Sequence, residues 1–185
     1  MYAVQVPRYH PKESNWQDYH HFTANQLPST ISAWLLDSGS LTQRLVKASN
    51  NQFQVRVISQ KWQQAHFSER SLLGMAMRER AIIREVALLC NAEPWVFARS
   101  VIPASSLTGH LRQLRRLKDS SLGEMLFRDP AMHRHPFQIA TIDGQSHQIP
   151  NFLRQASALW GRRSRFELSG KPLMVSEIFL PAFRP

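Results

Sequence analysis

The chain has 185 residues, 43% of them hydrophobic and 19% charged, a balance that fits one globular domain with a substantial core and excludes a disordered chain. Its 23 Lys and Arg against 13 Asp and Glu give a formal charge of +10, which attracts anions of every size, from polyanions to small metabolites. No apolar run approaches the roughly 20 residues of a membrane-spanning helix; no secretory apolar segment opens the chain; and the single cysteine, Cys90, excludes an internal disulfide and suits a reducing, cytoplasmic setting.

Residues 1–27 are polar and rich in His, Gln and Asn, with Pro7 and Pro11. They read as an N-terminal arm, extended or poorly ordered, ahead of a domain over 28–185. His10, His20 and His21 suggest a metal, but no Cys, Asp or second His pair completes a set at ligand spacing, so none is expected. Ser29 or Thr30 can cap a short helix from Ile31 to Asp37, which Ser38-Gly39 ends; Ser40 can cap a second, from Leu41 to Ala48. Phe53, Val55 and Val57 then alternate with Gln52, Gln54 and Arg56, the pattern of a strand with one wet face. Residues 59–78 are ambiguous: Ser68 to Met77 has helical composition, but its Leu and Met residues would equally line a loop.

Arg80 to Leu89 reads as a strand, Asn91-Ala92-Glu93-Pro94 as a turn, and Trp95 to Ile102 as the returning strand, ended by Pro103. Leu107 to Leu117 has the pattern of a short basic helix. Ser120 or Ser121 caps another, Leu122 to Phe127. Phe137 to Ile142 is a strand before an Asp143-Gly144 turn, and Pro150 to Ala158 fits either a helix or a loop. A last hairpin closes the chain: Gly161 to Leu168, a Ser169-Gly170-Lys171 turn, and Pro172 to Leu180. Hairpins rather than βαβ crossovers join the clearest strands. The expected fold is a single α+β domain, a mainly antiparallel sheet of about six strands with helices on one side.

Two strands carry one charge each on an otherwise apolar face. Arg84 stands between Ile82 and Val86, and Glu177 between Val175 and Phe179. Bare burial of either charge is too costly, so each needs a partner. One reading is structural, a buried Arg–Glu pair or a wetted edge strand. The other is a closed pocket whose ligand completes the pairing. There the planar fork of Arg84 would hold a carboxylate, and Glu177 would accept from a hydroxyl or move a proton. A small aromatic or cyclic acid suits such a pocket. No dinucleotide-binding or phosphate-loop glycine motif, no GxSxG elbow and no HExxH occurs. The basic clusters Arg112-Arg115-Arg116-Lys118 and Arg162-Arg163-Arg165 match no nucleic-acid-binding motif, so no nucleic-acid partner is expected.

Several stretches together resemble the chorismate pyruvate-lyase family: Arg84-Glu85-Val86 to Cys90, Glu93-Pro94-Trp95, Ala98-Arg99-Ser100-Val101-Ile102-Pro103, and Leu122-Gly123 with Leu126-Phe127. So do Trp160-Gly161-Arg162-Arg163-Ser164 and Leu168-Ser169-Gly170-Lys171-Pro172-Leu173, running on to Glu177 and Phe179-Leu180-Pro181. The resemblance covers about Ile31 to Pro181, strongly from Arg84 onward. It implies an antiparallel sheet with flanking helices enclosing a ligand cavity. It also implies elimination of pyruvate from chorismate to give 4-hydroxybenzoate for ubiquinone synthesis, with no metal or organic cofactor. Carried over by motif, Arg84 holds the ring carboxylate, the main chain of Leu122 meets the same carboxylate, and Glu177 lies near the ring hydroxyl. A main-chain contact falls on Leu41, where the family often has Met. The segment Gln60 to Arg80 and the Asp143-Gly144-Gln145-Ser146 region depart from the family pattern. A monomer without stable membrane insertion is expected. A non-catalytic sensing domain of the same general fold, binding an aromatic or cyclic acid, is the alternative; such repressors carry an N-terminal winged helix, for which the first 30 residues are too few.

Overall fold

Two tight hairpins make the centre of the fold in this computed structural model, which describes residues 13–185. In the first, β3 (Ala81–Cys90) turns into β4 (Glu93–Pro103) through Asn91 and Ala92. In the second, β7 (Leu159–Leu168) turns into β8 (Lys171–Phe179) through Ser169 and Gly170. All four turn residues have positive φ, 52° and 64° in the first turn and 49° and 73° in the second. That is the backbone a two-residue loop needs to match the right-handed twist of its strands. The second turn is therefore one residue shorter than the sequence suggested, and Lys171 opens β8.

The hairpins pair through β4 and β8. β2 (Phe53–Gln63) flanks β3, and β6 (Gln138–Ile142) flanks β7. These six strands are the expected sheet. Two short pieces raise the count among the described residues to eight: β1 (Gln17–Asp18) on β6 and β5 (Met132–Arg134) on β7. All pairings are antiparallel. Neither short strand is long enough to show a period of two, which is why the sequence pattern passed over them. β2 also runs six residues beyond Val57, because a register shift between Val57 and Ser59 breaks the alternation that would have announced it.

One sheet face carries most of the helices: α1 (Ser32–Leu35), α2 (Leu41–Ala48), a 3-10 stretch from Gly109 to Arg116, and α4 (Leu122–Arg128). Ser40 caps α2 by accepting from the Gln43 amide at 3.4 Å, and Ser121 caps α4 by accepting from the Glu124 amide at 3.2 Å. The segment read as a basic helix is thus 3-10, with Leu111 and Leu114 buried. The opposite face is not bare, contrary to the one-sided expectation. There α3 (Phe67–Leu73) packs Leu73 onto Ile83, Val101 and Met174. Gly74 ends it at φ 64°.

Residues 13–27, read as part of an arm, lie against the domain. Tyr19 stacks on Phe137 at 4.4 Å between ring centroids, and the Glu13 carboxylate accepts from the amides of Phe67 and Ser68 at the start of α3. His20 and His21 are exposed; His10 lies outside the described residues. No helix among the described residues is long and apolar enough to cross a membrane.

Candidate active site

The core under α1, α2 and α4 is interrupted. One apolar cluster gathers Leu35, Leu45, Val86, Leu88, Val96, Ile139 and Phe179. A second gathers Ile82, Ile102, Leu107, Leu114, Leu126, Phe166 and Leu173. Between them the sheet presents polar side chains: Arg84 from β3, Ser100 from β4, Glu177 from β8, Arg162 and Ser164 from β7. Register brings them together, since Arg84 stands opposite Ser100, Ala98 opposite Glu177, and Glu177 opposite Arg162. Paired residues in an antiparallel ladder point to the same face.

This break holds a small cavity. Arg84, Ser100 and Glu177 line it with Val55, Val86, Ala98 and Val175; Thr42, Ser121, Leu122 and Gly123 roof it. The roof is the meeting of two helix starts: the Thr42 and Ser121 hydroxyls hydrogen-bond at 2.8 Å. Gly123 comes so close that a Cβ there would sit 3.1 Å from Thr42 Oγ1. An open groove lined by Phe53, Arg116, Leu117, Asp119 and Met125 abuts the cavity, sharing Val55 and Ser121 with it.

Arg84 is only 2% exposed. One guanidinium nitrogen, Nη2, donates to the carbonyls of Lys118 at 2.8 Å and Ser120 at 2.9 Å, which fixes the group against the loop leading into α4. Its buried Nε has no hydrogen-bond partner among the described residues. Burial pushes the Arg84 pKa below its ordinary value, and Asp119 offsets only part of this. Buried donors with open valence are costly, so an incoming acceptor is favoured here.

Glu177 has a partner, and it is not Arg84. Arg162 Nε donates to Glu177 Oε2 at 2.6 Å. The same guanidinium, 1% exposed, donates through Nη1 to the carbonyls of Trp34 and Asp37 at 2.8 and 2.6 Å. The simplest structural reading, an ion pair between the two displaced charges, is thereby replaced: Glu177 is bound on one side by Arg162 and faces the cavity on the other. Beside Arg162 lies Arg134 of β5, whose Nε and Nη2 both donate to Ser164 Oγ at 3.0 and 2.9 Å. Burial and the neighbouring Arg162 lower the Arg134 pKa to about 10, so it remains a cation at neutral pH.

Of the residues singled out in the sequence, Arg84, Glu177 and Leu122 therefore line one cavity. Leu41 does not: its side chain is 3% exposed in the core beneath α2, and the next residue, Thr42, reaches the cavity instead. Arg162 was legible in principle. Counting back from a two-residue turn sets it opposite Glu177, whereas a three-residue turn sets Arg163 there. Arg134 had no such signal, lying on a three-residue strand.

A family model described as chorismate lyase matches residues 10–184. A probable chorismate pyruvate-lyase of Pseudomonas putida is 41% identical over 167 residues, covering 90% of this chain and 88% of that one. Another from Methylococcus capsulatus is 39% identical over 155 residues, covering 82% and 95%. Among solved structures, the C-terminal domain of the histidine utilization repressor from Pseudomonas syringae pv. tomato superposes with a TM-score of 0.56 at 13% identity, over 72% of this chain and 94% of that one. At that identity the likeness is one of fold alone. With relatives near 40% identity over most of its length and a family model spanning nearly all of it, the chain belongs to the chorismate lyase family.

Proposed function

We propose that this protein eliminates pyruvate from chorismate to give 4-hydroxybenzoate, the first step of ubiquinone biosynthesis, acting as a cytoplasmic enzyme without metal or organic cofactor. The observation that carries the reading is the enclosed polar break in an apolar core, with the open guanidinium of Arg84 on one strand and the Arg162-bound carboxylate of Glu177 on another. The ring carboxylate of chorismate and its ring hydroxyl stand at opposite ends of the ring. Arg84 binds the first, with the main chain of Leu122 at the start of α4 supporting it, and Glu177 accepts from the second. Leu41 keeps a main-chain role only, since its side chain is committed to the core.

In the reaction the bond between a ring carbon and the enolpyruvyl oxygen breaks. The neighbouring ring carbon, which bears the hydroxyl, loses its hydrogen, and the electron pair of that C–H bond completes the aromatic ring. The proton ends on the enolpyruvyl methylene, which becomes the methyl group of pyruvate, so no oxidant or second substrate is required. Aromatisation supplies the driving force. The protein's work is then mainly to hold the ring in a dry cavity with the methylene over that hydrogen. Glu177 fixes the hydroxyl and so the face of the ring that reacts. The hydrogen bond from Arg162 Nε holds the carboxylate in its orientation.

The test is incubation of the purified protein with chorismate and a chelator, followed by ultraviolet detection of 4-hydroxybenzoate. Formation of the product despite exhaustive chelation supports the reading. Binding of 4-hydroxybenzoate without turnover of chorismate points instead to a sensing domain, and activity lost on chelation but restored by a divalent metal defeats cofactor independence.

A further inference from the structure

The charges around the cavity do not balance. Arg84, Arg134 and Arg162 supply three cations on one sheet face, against the carboxylate of Glu177; of the other carboxylates nearby, Asp119 is exposed and acts on Arg84, and Asp37 is paired with Arg44 at 3.2 Å. Among the described residues Arg84 hydrogen-bonds to carbonyls alone, and Arg162 takes Glu177. Arg134 is the remaining one. It is pinned between the Ser164 hydroxyl and the Ser38 carbonyl, the latter 2.8 Å from Nη1, and it sits over the rings of Phe137 and Phe166 at 5.3 and 5.5 Å. Among the described residues no carboxylate pairs with it. A half-buried arginine next to another arginine, held by neutral acceptors alone among the described residues, is an arrangement that a bound anion would relieve.

We propose that Arg134 is the positioning residue for the second carboxylate of the substrate, the one on the enolpyruvyl ether. This rests on the function proposed above, and on one geometric fact about the ligand. The ether leaves from the ring carbon next to the hydroxyl-bearing carbon. With the ring carboxylate on Arg84, the hydroxyl and the ether both fall at the Glu177 end, where Arg134 stands behind Ser164 and Arg162. The two products differ in what they keep. The aromatic product carries only the carboxylate held by Arg84, while the carboxylate assigned to Arg134 departs with pyruvate. Arg134 therefore discriminates chorismate from 4-hydroxybenzoate, favouring the dianion over the monoanion, and it orients the enolpyruvyl chain whose methylene receives the proton.

The experiment compares two ligands on the same preparations of wild-type, R134Q and R134K protein. Kinetics give KM and kcat for chorismate; calorimetry gives Kd for 4-hydroxybenzoate. The expected result for R134Q is a chorismate KM raised by about tenfold or more, as for loss of one charge-assisted contact, with the Kd for 4-hydroxybenzoate unchanged. R134K keeps the charge but not the fork, and should recover part of the loss. If R134Q does not fold, R134K decides alone: a raised KM beside an unchanged Kd supports the assignment. An unaltered KM overturns it. So does equal weakening of both ligands with a lowered melting temperature, which would make Arg134 only a clamp on the Ser38 loop. Wild-type protein that leaves chorismate intact overturns the underlying function, and this assignment with it.

Discussion

Arg84 and Glu177 were visible in the sequence because each breaks an apolar alternation, and a period of two is the most legible signal a strand carries. Their different situations lead to different expectations. Among the described residues Arg84 has an unpartnered buried donor and no ion pair, so under the proposed function Arg84→Ala should remove the ligand's charged partner and leave the fold intact. Loss of a charge-assisted contact of this kind costs roughly 2–5 kcal/mol. Calorimetry should then show 4-hydroxybenzoate binding weakened by about tenfold or more, with Arg84→Lys also impaired because a point charge cannot replace the fork. Unchanged affinity would make the arginine structural.

Glu177 is bonded to a guanidinium that is almost fully buried. Glu177→Gln retains an oxygen to accept from Arg162 Nε but loses the charge. Turnover should fall by more than about tenfold, the scale of a lost proton-handling or charge-positioning group, while the melting temperature drops modestly. A variant with wild-type turnover would remove Glu177 from the site. A collapse in stability of roughly 3–5 kcal/mol with turnover per folded molecule unchanged would make it a structural partner only. The partner itself was not read from the sequence. Arg162, Arg163 and Arg165 crowd one strand, and only the turn length decides which of them faces Glu177.

At the scale of elements, the strands of the two hairpins were legible and the pieces around them were not. The final hairpin announced itself by alternation and by Ser169-Gly170; α3 did not, because seven residues hold barely two turns of helix. It is held in place by charge as much as by packing. Glu69 accepts from Arg99 Nε at 2.7 Å, from Arg99 Nη2 at 3.1 Å and from the His66 amide at 2.8 Å, so one side chain caps the helix and ties it to β4. Burial alone would raise the Glu69 pKa, but the Arg99 hydrogen bonds and charge outweigh it and hold the carboxyl below its ordinary value. A depressed carboxylate pKa stabilises the fold above the unfolded value, and that stability is lost as pH falls through the folded one. The melting temperature should therefore decline as pH drops below the ordinary carboxylate range, and Glu69→Gln should flatten that decline while lowering stability at neutral pH. An identical acid profile in the variant would show that the pair does not set acid stability.

The β7–β8 contact is tested by Gly161. A Cβ there would lie 2.8 Å from Ile142 Cδ1 and 3.1 Å from the Glu177 carbonyl, so Gly161→Ala must push β8 or Ile142 aside. Overpacking of this sort costs roughly 1–3 kcal/mol. Both melting temperature and turnover should fall, since the displaced strand carries Glu177. A variant as stable and active as the wild type would mean that the strands have more slack than their contacts imply.

On the scale of the whole molecule, the sheet is built twice over in the same way. Each face has two apolar clusters with charged residues between them. On one face these are Arg84, Arg162 and Glu177, and on the other Arg99, Arg163, Glu69 and Glu85. The two breaks hold small cavities of similar size, so size alone does not tell them apart. Charge does. The second break is largely neutralised from within, because Arg99 is bonded to both Glu69 and Glu85. The first keeps an excess of cations for a ligand with carboxylates to fill.

A crystal structure of the protein soaked with 4-hydroxybenzoate tests this account most directly. It should show the ring in the cavity beneath Thr42 and Ser121, its carboxylate within hydrogen-bonding distance of Arg84 and its hydroxyl against Glu177. A ligand bound instead on the opposite face, between Arg99 and Arg163, or turned end for end in the first cavity, would contradict it.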